Sequence, residues 1–275
     1  MVTPRSRRAM ALFAVSRGLS ERRASHLCST PRSGLRYRSR RERRDHHLSR
    51  ALGIVAREEP AWGYRLTAGY LRLRRWKVNE KRVHRLWRLH GHSLPAPSRT
   101  RKIKTGSVLR PTARYRNDVW AWDLVHDSYG NGRQFRCLTV KDEATSFCLA
   151  IDPGKHLDHS DVHRLLKQLI VRYGRPRWIR SDNGGELVAS ALQEAMKREG
   201  IQPVRIDPGK PWQNGSNESF NGTLRRECLD AEIFTTFDEA CILIADWRKK
   251  YNSKRPHSSI NYITPEMAYF GKRKP

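Results

Sequence analysis

"WIRSDNGGEL", residues 178–187, puts an acid where a short buried strand ends. The apolar pair Trp178 and Ile179 leads through Arg180 and Ser181 to Asp182, then to a loop with Gly184 and Gly185. A carboxylate in that place can cap a helix, hold a turn or bind a metal. The flanking segments decide the fold around it. Upstream, "VWAWDLVHDS" (119–128), "RQFRCLTVKD" (133–142) and "SFCLAID" (146–152) are apolar and of strand length, separated by "YGNG" and "EAT". That is the pattern of a three-stranded meander. A helix over 158–173 then precedes the strand "RWIRS" (177–181). A helix over 186–199 leads to the short strand "QPVRI" (202–206), and helices over 215–229 and 237–252 follow "DPGKPWQNGSN" (207–217). Three strands followed by strands alternating with helices is a mixed α/β order, in which the late strands, joined through helices, run parallel.

The chain has 275 residues, a length that suits about two domains, and 37% hydrophobic residues, enough for a core. It has no run of 18 apolar residues, which argues against a membrane span. The short apolar run near the N-terminus is broken by Arg17, against a targeting peptide and for a cytoplasmic protein. The five cysteines (28, 137, 148, 228 and 241) include no C-x-x-C pair, so neither a zinc knuckle nor a disulfide framework is expected. The net charge of +28 is unevenly placed: residues 1–116 hold 31 Lys and Arg against 6 Asp and Glu, and residues 117–275 hold 24 against 21. The basic half calls for a polyanionic partner, and nucleic acid is the ordinary one, because cations that neutralise phosphates release counterions.

Within that half, residues 1–40 suggest a helix-turn-helix. Ser20 caps a helix in "SERRASHL" (20–27), and Thr30 with Pro31 starts another in "STPRSGLRYR" (29–38). Arg22, Arg23, Arg32 and Arg36 are its candidate DNA contacts. "RSRRERRDHHLSR" (38–50) is a charge run, expected as a solvated face or linker. Residues 41–94 form a second basic helical unit. "WGYRLTAGYLRLRRW" (62–76) carries Leu66, Tyr70, Leu71 and Leu73. In "NEKRVHRLWRLHG" (79–91), Asn79 is the cap, Val83, Leu86, Trp87 and His90 share a face, and Gly91 is the stop. Arg72, Arg75, Lys81, Arg82 and Arg85 are candidate DNA contacts here. Residues 95–117, rich in Pro, Ser, Thr and cations, read as a basic linker to a core over 118–275.

Three acids stand out in the core. Asp123 lies mid-strand among aliphatic and aromatic residues, where a charge is costly unless compensated. Asp182 ends the fourth strand, the place where ligands gather in α/β sheets. If the first and fourth strands are neighbours, the two carboxylates converge and call for a cation. Magnesium binds through one or two carboxylates and substrate phosphates. Glu218, in "NGSNESFNGTLRREC" (214–228), is the candidate third acid, and Arg225 follows it by seven residues, two helical turns. Asn183, Gly184 and Gly185 shape the loop after the second acid, and Gln213 and Asn214 are candidate lining residues. Asp127, four residues beyond Asp123, is a weaker neighbour. Asp142 and Glu143 suit the turn after the second strand.

"WAWDLV", "IRSDNGGE" and "PWQNGSNESFNGTLRRECL" together resemble the three catalytic blocks of the DDE transposases and retroviral-type integrases. The 35 residues between Asp182 and Glu218 match that family's spacing, and Arg225 matches its basic position. "YNSKRPHSSINYITPEMA" (251–268) resembles the end of the core in insertion-sequence transposases of the IS-three family, and the N-terminal part resembles the helix-turn-helix segments of that family's second reading frame. The resemblance covers about 117–270 in the core. It implies a ribonuclease H-like mixed sheet with flanking helices, preceded by an all-α region. It further implies that Asp123, Asp182 and Glu218 are catalytic and bind two Mg2+ or Mn2+ ions, for cleavage of element ends and their joining to target DNA. The implied partners are element-end and target DNA, further copies of the chain and the first-frame protein, in a bacterial cytoplasm at the nucleoid. The chain lacks the His/Cys zinc module of retroviral integrases and any sustained heptad repeat, as suits a second-frame product. The alternatives are a subunit active only when fused to or partnered with the first-frame protein, a catalytically silent DNA-binding relative, and a ribonuclease H-type enzyme cleaving RNA–DNA hybrids.

Overall fold

Strand β1 (Val119–Ser128) lies at the middle of a five-stranded sheet of order β3-β2-β1-β4-β5. The computed structural model describes residues 3–37, 41–95, 113–181, 190–205 and 215–271, in two compact units, Met1–Ala51 and Leu52–Pro275. β2 (Gln134–Asp142) and β3 (Cys148–Gly154) complete an antiparallel meander with β1, and β4 (Trp178–Ser181) and β5 (Gln202–Arg205) run parallel to it. The meander and the parallel late strands are as the sequence pattern requires. β3 starts two residues later than expected because Asp142 organises the turn before it: its carboxylate accepts from the Thr145 backbone at 2.9 Å, the Thr145 hydroxyl at 2.6 Å and the Asn117 backbone at 2.7 Å.

Alternation along β1 sorts its side chains into two layers. Trp120 and Trp122, with Leu124 partly buried beside them, join a cluster with Leu138, Val140 and Leu149, α7 (His159–Tyr173), α8 (Ser190–Arg198) and Tyr269. Val125 points the other way, into a cluster with Phe135, Cys137, Phe220 and Leu224 of α9 (Gly215–Leu224), and Ile244, Trp247 and Tyr251 of α10 (Phe237–Ser253). By the same parity Asp123 faces the α9 layer. α10 also covers the β3 edge. Asn252 accepts from the Cys148 N–H at 2.9 Å and donates to the Cys148 carbonyl at 2.8 Å, so one amide fills both backbone groups where this edge strand starts. A single 3₁₀ turn at Ser258–Ile260 and α11 (Pro265–Phe270), capped by Thr264, close the core.

The expected helix over 215–229 is two pieces: α9 stops at Leu224, and Arg225–Leu229 form a wider π turn.

In the first unit, α1 (Pro4–Ser16), α2 (Glu21–Leu27) and α3 (Arg32–Arg36) pack around Ala11, Ala24 and Leu35. Ser20 caps α2, accepting from the Arg23 N–H. Thr30 does not cap α3: Pro31 takes the cap position, and the Thr30 hydroxyl donates to the Cys28 carbonyl at 3.1 Å. The charge run is not a linker over 41–50, since those residues begin α4 (Arg41–Glu58). Leu48, Leu52 and Val55 give that helix a buried stripe at 4 and 3 residue intervals that outweighs its charged surface. The division between the two units falls inside α4.

α5 (Tyr64–Leu73) and α6 (Glu80–Leu89) pack together in the second unit, with Ala68, Leu71, Val83, Leu86 and Trp87 buried. Asn79 caps α6, accepting from the Lys81 N–H at 2.8 Å. His90 is exposed rather than on the apolar face, because it is the first residue past the helix. Gly69 of α5 lies against the Tyr262 ring: a Cβ there would stand 2.8–3.1 Å from three Tyr262 carbons. Alanine would gain about 1 kcal/mol of helix propensity. It would lose ~1–3 kcal/mol to overpacking, because the Tyr262 Cβ cannot swing aside. Gly69→Ala is therefore expected to lower the thermal midpoint, and an unchanged or raised midpoint would show that Tyr262 moves freely.

Candidate active site

α9 is built from poor helix formers, "GSNESFNGTL", and its helical state is imposed by what its side chains hold. Past Ala121, which pairs with Arg180, β1 has no described β4 partner beyond Ser181. Side chains of α9 and the π turn take over along the strand. The Asn217 amide donates to the Trp122 carbonyl at 3.0 Å, the Asn221 amide donates to the Asp123 carboxylate at 2.8 Å, and the Arg225 guanidinium donates to the His126 carbonyl at 2.6 Å. Residues 217, 221 and 225 recur every four positions, one stripe along the helix. From β2, the Thr139 hydroxyl donates to the Asp123 carbonyl at 3.1 Å, and Lys141 Nζ donates to the Ser216 carbonyl and hydroxyl, both at 2.8 Å.

This lashing sets the surroundings of Asp123. The residue is half-buried; one carboxylate oxygen accepts from the Leu124 N–H at 2.9 Å and the other from Asn221. Glu218 is exposed and stands one turn before Asn221, on the neighbouring arc of α9. Both are oxygen donors of the type a hard divalent cation takes, so they fit such an ion. Asp182, with Asn183, Gly184, Gly185, Gln213 and Asn214, lies outside the described residues. Among the described residues no group of three or more His, Cys, Asp or Glu is placed to hold a metal. Asp127 has one oxygen on the Ser128 N–H at 2.8 Å and the other buried with no hydrogen-bond partner.

Sequence reasoning missed Asn217 and Asn221, and also a buried ion pair. Arg180 Nη1 donates to both Glu143 oxygens, at 2.8 and 2.9 Å, with side-chain exposures of 9% and 8%. Burial pushes the Glu143 carboxyl above its usual range, and Arg180 is the strongest influence opposing it. An arginine inside a four-residue buried strand was the available signal, since such a cation needs an acid.

The candidate DNA contacts are spread over both units. Arg22, Arg23 and Arg32 are exposed, and Arg36 is exposed but bound to Glu21 at 2.8 Å. Arg75, Lys81 and Arg85 are exposed on the second helical set; Arg72 and Arg82 are half-buried, Arg72 donating to the Val78 carbonyl at 3.4 Å. Arg225 stands at 42% side-chain exposure, 3.7 Å from Asp230. No helix among the described residues is long and apolar enough to cross a membrane.

Two family models, both described as "Integrase core domain", match residues 113–211 and 199–265. The chain is 35% identical over 253 residues to the insertion element IS407 uncharacterized 31.7 kDa protein of Burkholderia multivorans, covering 90% of this chain and 89% of that protein. It is 25% identical over 227 residues to transposase InsD for insertion element IS2D of Escherichia coli, covering 77% and 74%. Among solved structures, a chain of the simian T-cell lymphotropic virus intasome in complex with PP2A regulatory subunit B56 gamma matches with a TM-score of 0.52 at 18% identity, over 82% of this chain and 76% of that one. That likeness shows the fold, a ribonuclease H-like sheet with flanking helices. With an integrase core and insertion-element relatives that match it over most of their length, the chain belongs to the DDE transposases of insertion-sequence type, in the IS-three family.

Proposed function

We propose that this chain cleaves the ends of its insertion element and joins them to target DNA by phosphodiester hydrolysis and transesterification, with Asp123, Asp182 and Glu218 as the catalytic carboxylates. The observation that carries the assignment is the α9–β1 lashing, which sets the Asn221 amide on the Asp123 carboxylate with Glu218 one turn away. The sequence spacing supports the third member. Ala121 pairs with Arg180 in the last described register pair, and Asp182 follows Arg180 by two residues in the sequence, with 35 residues between it and Glu218. These carboxylates would hold two Mg2+ or Mn2+ ions, which when bound supply Lewis-acid activation of the attacking oxygen and stabilisation of the leaving oxygen. Asp123 is oriented by Asn221 and Leu124, so its carboxylate is fixed before substrate arrives. Glu218, exposed on α9, faces the incoming strand. The exposed arginines and lysines of the N-terminal half bind element-end and target DNA, and Arg225 contributes a phosphate contact beside the acids. The working assembly holds several copies of the chain on DNA, together with the first-frame protein.

The test is joining of a labelled duplex bearing the element's own end to a target duplex, with magnesium or manganese. Metal-dependent joined product is expected; no product from the chain alone or with the first-frame protein added would overturn the assignment. Asn221→Ala should cut joining by about 10–100-fold, the usual loss for a residue that orients a ligand, with unchanged folding by circular dichroism. Full activity in that variant would remove Asn221 from the site.

A further inference from the structure

On the flank of α9 away from the Asn217–Asn221–Arg225 stripe lies a cavity of about 480 Å³. At 100° per residue, Ser219, Thr223 and Arg226 share that flank. Four cations line the cavity: Arg65 of α5, Lys141 of β2, Arg226 of the π turn and Arg255; no carboxylate among the described residues does. Arg255 is matched from behind by Glu227 at 2.9 Å, and Arg65 lies 3.6 Å from Glu80 at the surface. Lys141 and Arg226 instead donate to neutral oxygens, those of Ser216 and of Thr223 (3.4 Å). The acids nearest Lys141 are engaged elsewhere, Asp142 by Thr145 and Glu143 by Arg180. Burial holds the cavity's His257 neutral, pulled down to about 3. The cavity thus has a cationic excess and hydroxyls of Ser219, Thr223 and Ser258 around it.

A strained turn closes the cavity's other side. Asn261 and Tyr262 both have φ of 57°, left-handed backbone at two successive side-chain-bearing residues, which Asn tolerates and Tyr rarely adopts. The turn is clamped by His257 N–H to the Ile263 carbonyl at 3.0 Å and Tyr262 N–H to the His257 carbonyl at 2.8 Å. It holds Tyr262 against Gly69 and brings Ser258 and Ser259 to the wall. Strain of this kind is kept where a particular shape is needed.

We propose that this cavity binds a phosphate group, separately from the catalytic carboxylates. Guanidinium, ammonium and hydroxyl donors converging on one space suit the oxygens of a phosphate. The phosphate belongs to a DNA strand passing α9, an assignment that rests on the transposase reading, or to a free phosphate; the binding chemistry is the same for both.

The experiment uses the full chain and Arg226→Gln, an exposed residue whose one hydrogen bond, to Thr223, is weak. In the first arm, inorganic phosphate raises the thermal midpoint of the wild type above chloride at equal ionic strength, and Arg226→Gln loses the rise while Arg226→Lys keeps part of it. In the second, anisotropy of a labelled duplex across a salt series gives a slope of log affinity against log salt that falls by about 0.9 in Arg226→Gln, one phosphate contact. Both changes together support a DNA phosphate; the first alone supports a site for free phosphate. No rise beyond chloride with an unchanged slope overturns the proposal. Strand joining is measured separately, so a chain that fails to join DNA leaves both arms readable.

Discussion

Asp123→Asn and Glu218→Gln will each abolish strand joining while leaving DNA affinity nearly unchanged. Both substitutions keep shape and remove one negative charge. Asp123 accepts a hydrogen bond at each carboxylate oxygen, from Leu124 and from Asn221; the asparagine amide keeps one acceptor oxygen and turns the other into a donor, so one of the two bonds is lost and the fold of this variant is checked by circular dichroism beside joining. Glu218 is exposed on α9, and its loss disturbs no packing. Residues that merely orient a metal ligand are worth about 10–100-fold, so losing a ligand itself should exceed about 100-fold in single-turnover joining. On the proposed function, DNA affinity rests on the basic half, where Lys and Arg outnumber acids 31 to 6. Affinity and joining should therefore separate in these variants. Retained joining in Glu218→Gln would remove it from the catalytic set, and an equal fall in both measurements would mean that the acids act on binding or folding instead.

The sheet was legible because its rules are local. Alternation in "VWAWDLVHDS" sends Trp120 and Trp122 to one layer and Asp123 to the other, and the switch from meander to helix-linked strands predicts which pairs are parallel. The site's supports were not legible, because their partners are distant in the chain. Asn221 falls inside the expected helix over 215–229, but nothing local marks it as a support; the carboxylate it holds is 98 residues away. The π turn at Arg225–Leu229 has no compositional mark, and arises where the stripe bonding β1 gives way to a buried Cys228 and Leu229. The charge run read equally as a solvated face or a linker; over 41–50 it is a mostly exposed stretch of α4, held in the helix by the buried stripe of Leu48, Leu52 and Val55.

Arg180→Met should destabilise the protein by about 3–5 kcal/mol, because it leaves the Glu143 carboxylate buried without its cation. The loss comes from the stranded charge and not from the pair's own worth, since a buried pair replaced by apolar residues of similar size is often neutral or stabilising. The double variant Arg180→Met/Glu143→Leu should accordingly recover most of the midpoint in urea unfolding. The pH dependence separates this account from a packing defect. Burial already raises the Glu143 carboxyl above its unfolded value, and removing Arg180, the strongest opposing influence, raises it further. A carboxyl with a raised folded value binds its proton more tightly in the fold, so its burden grows as pH rises through that value and fades as pH falls below it. The gap between single and double variants is therefore largest near neutrality and narrows toward acid. A gap that stays constant with pH would mean that Arg180 acts by filling space. Because Arg180 stands two residues before Asp182, a stranded charge there would also loosen the end of β4, and strand joining in the single variant should fall and then return in the double.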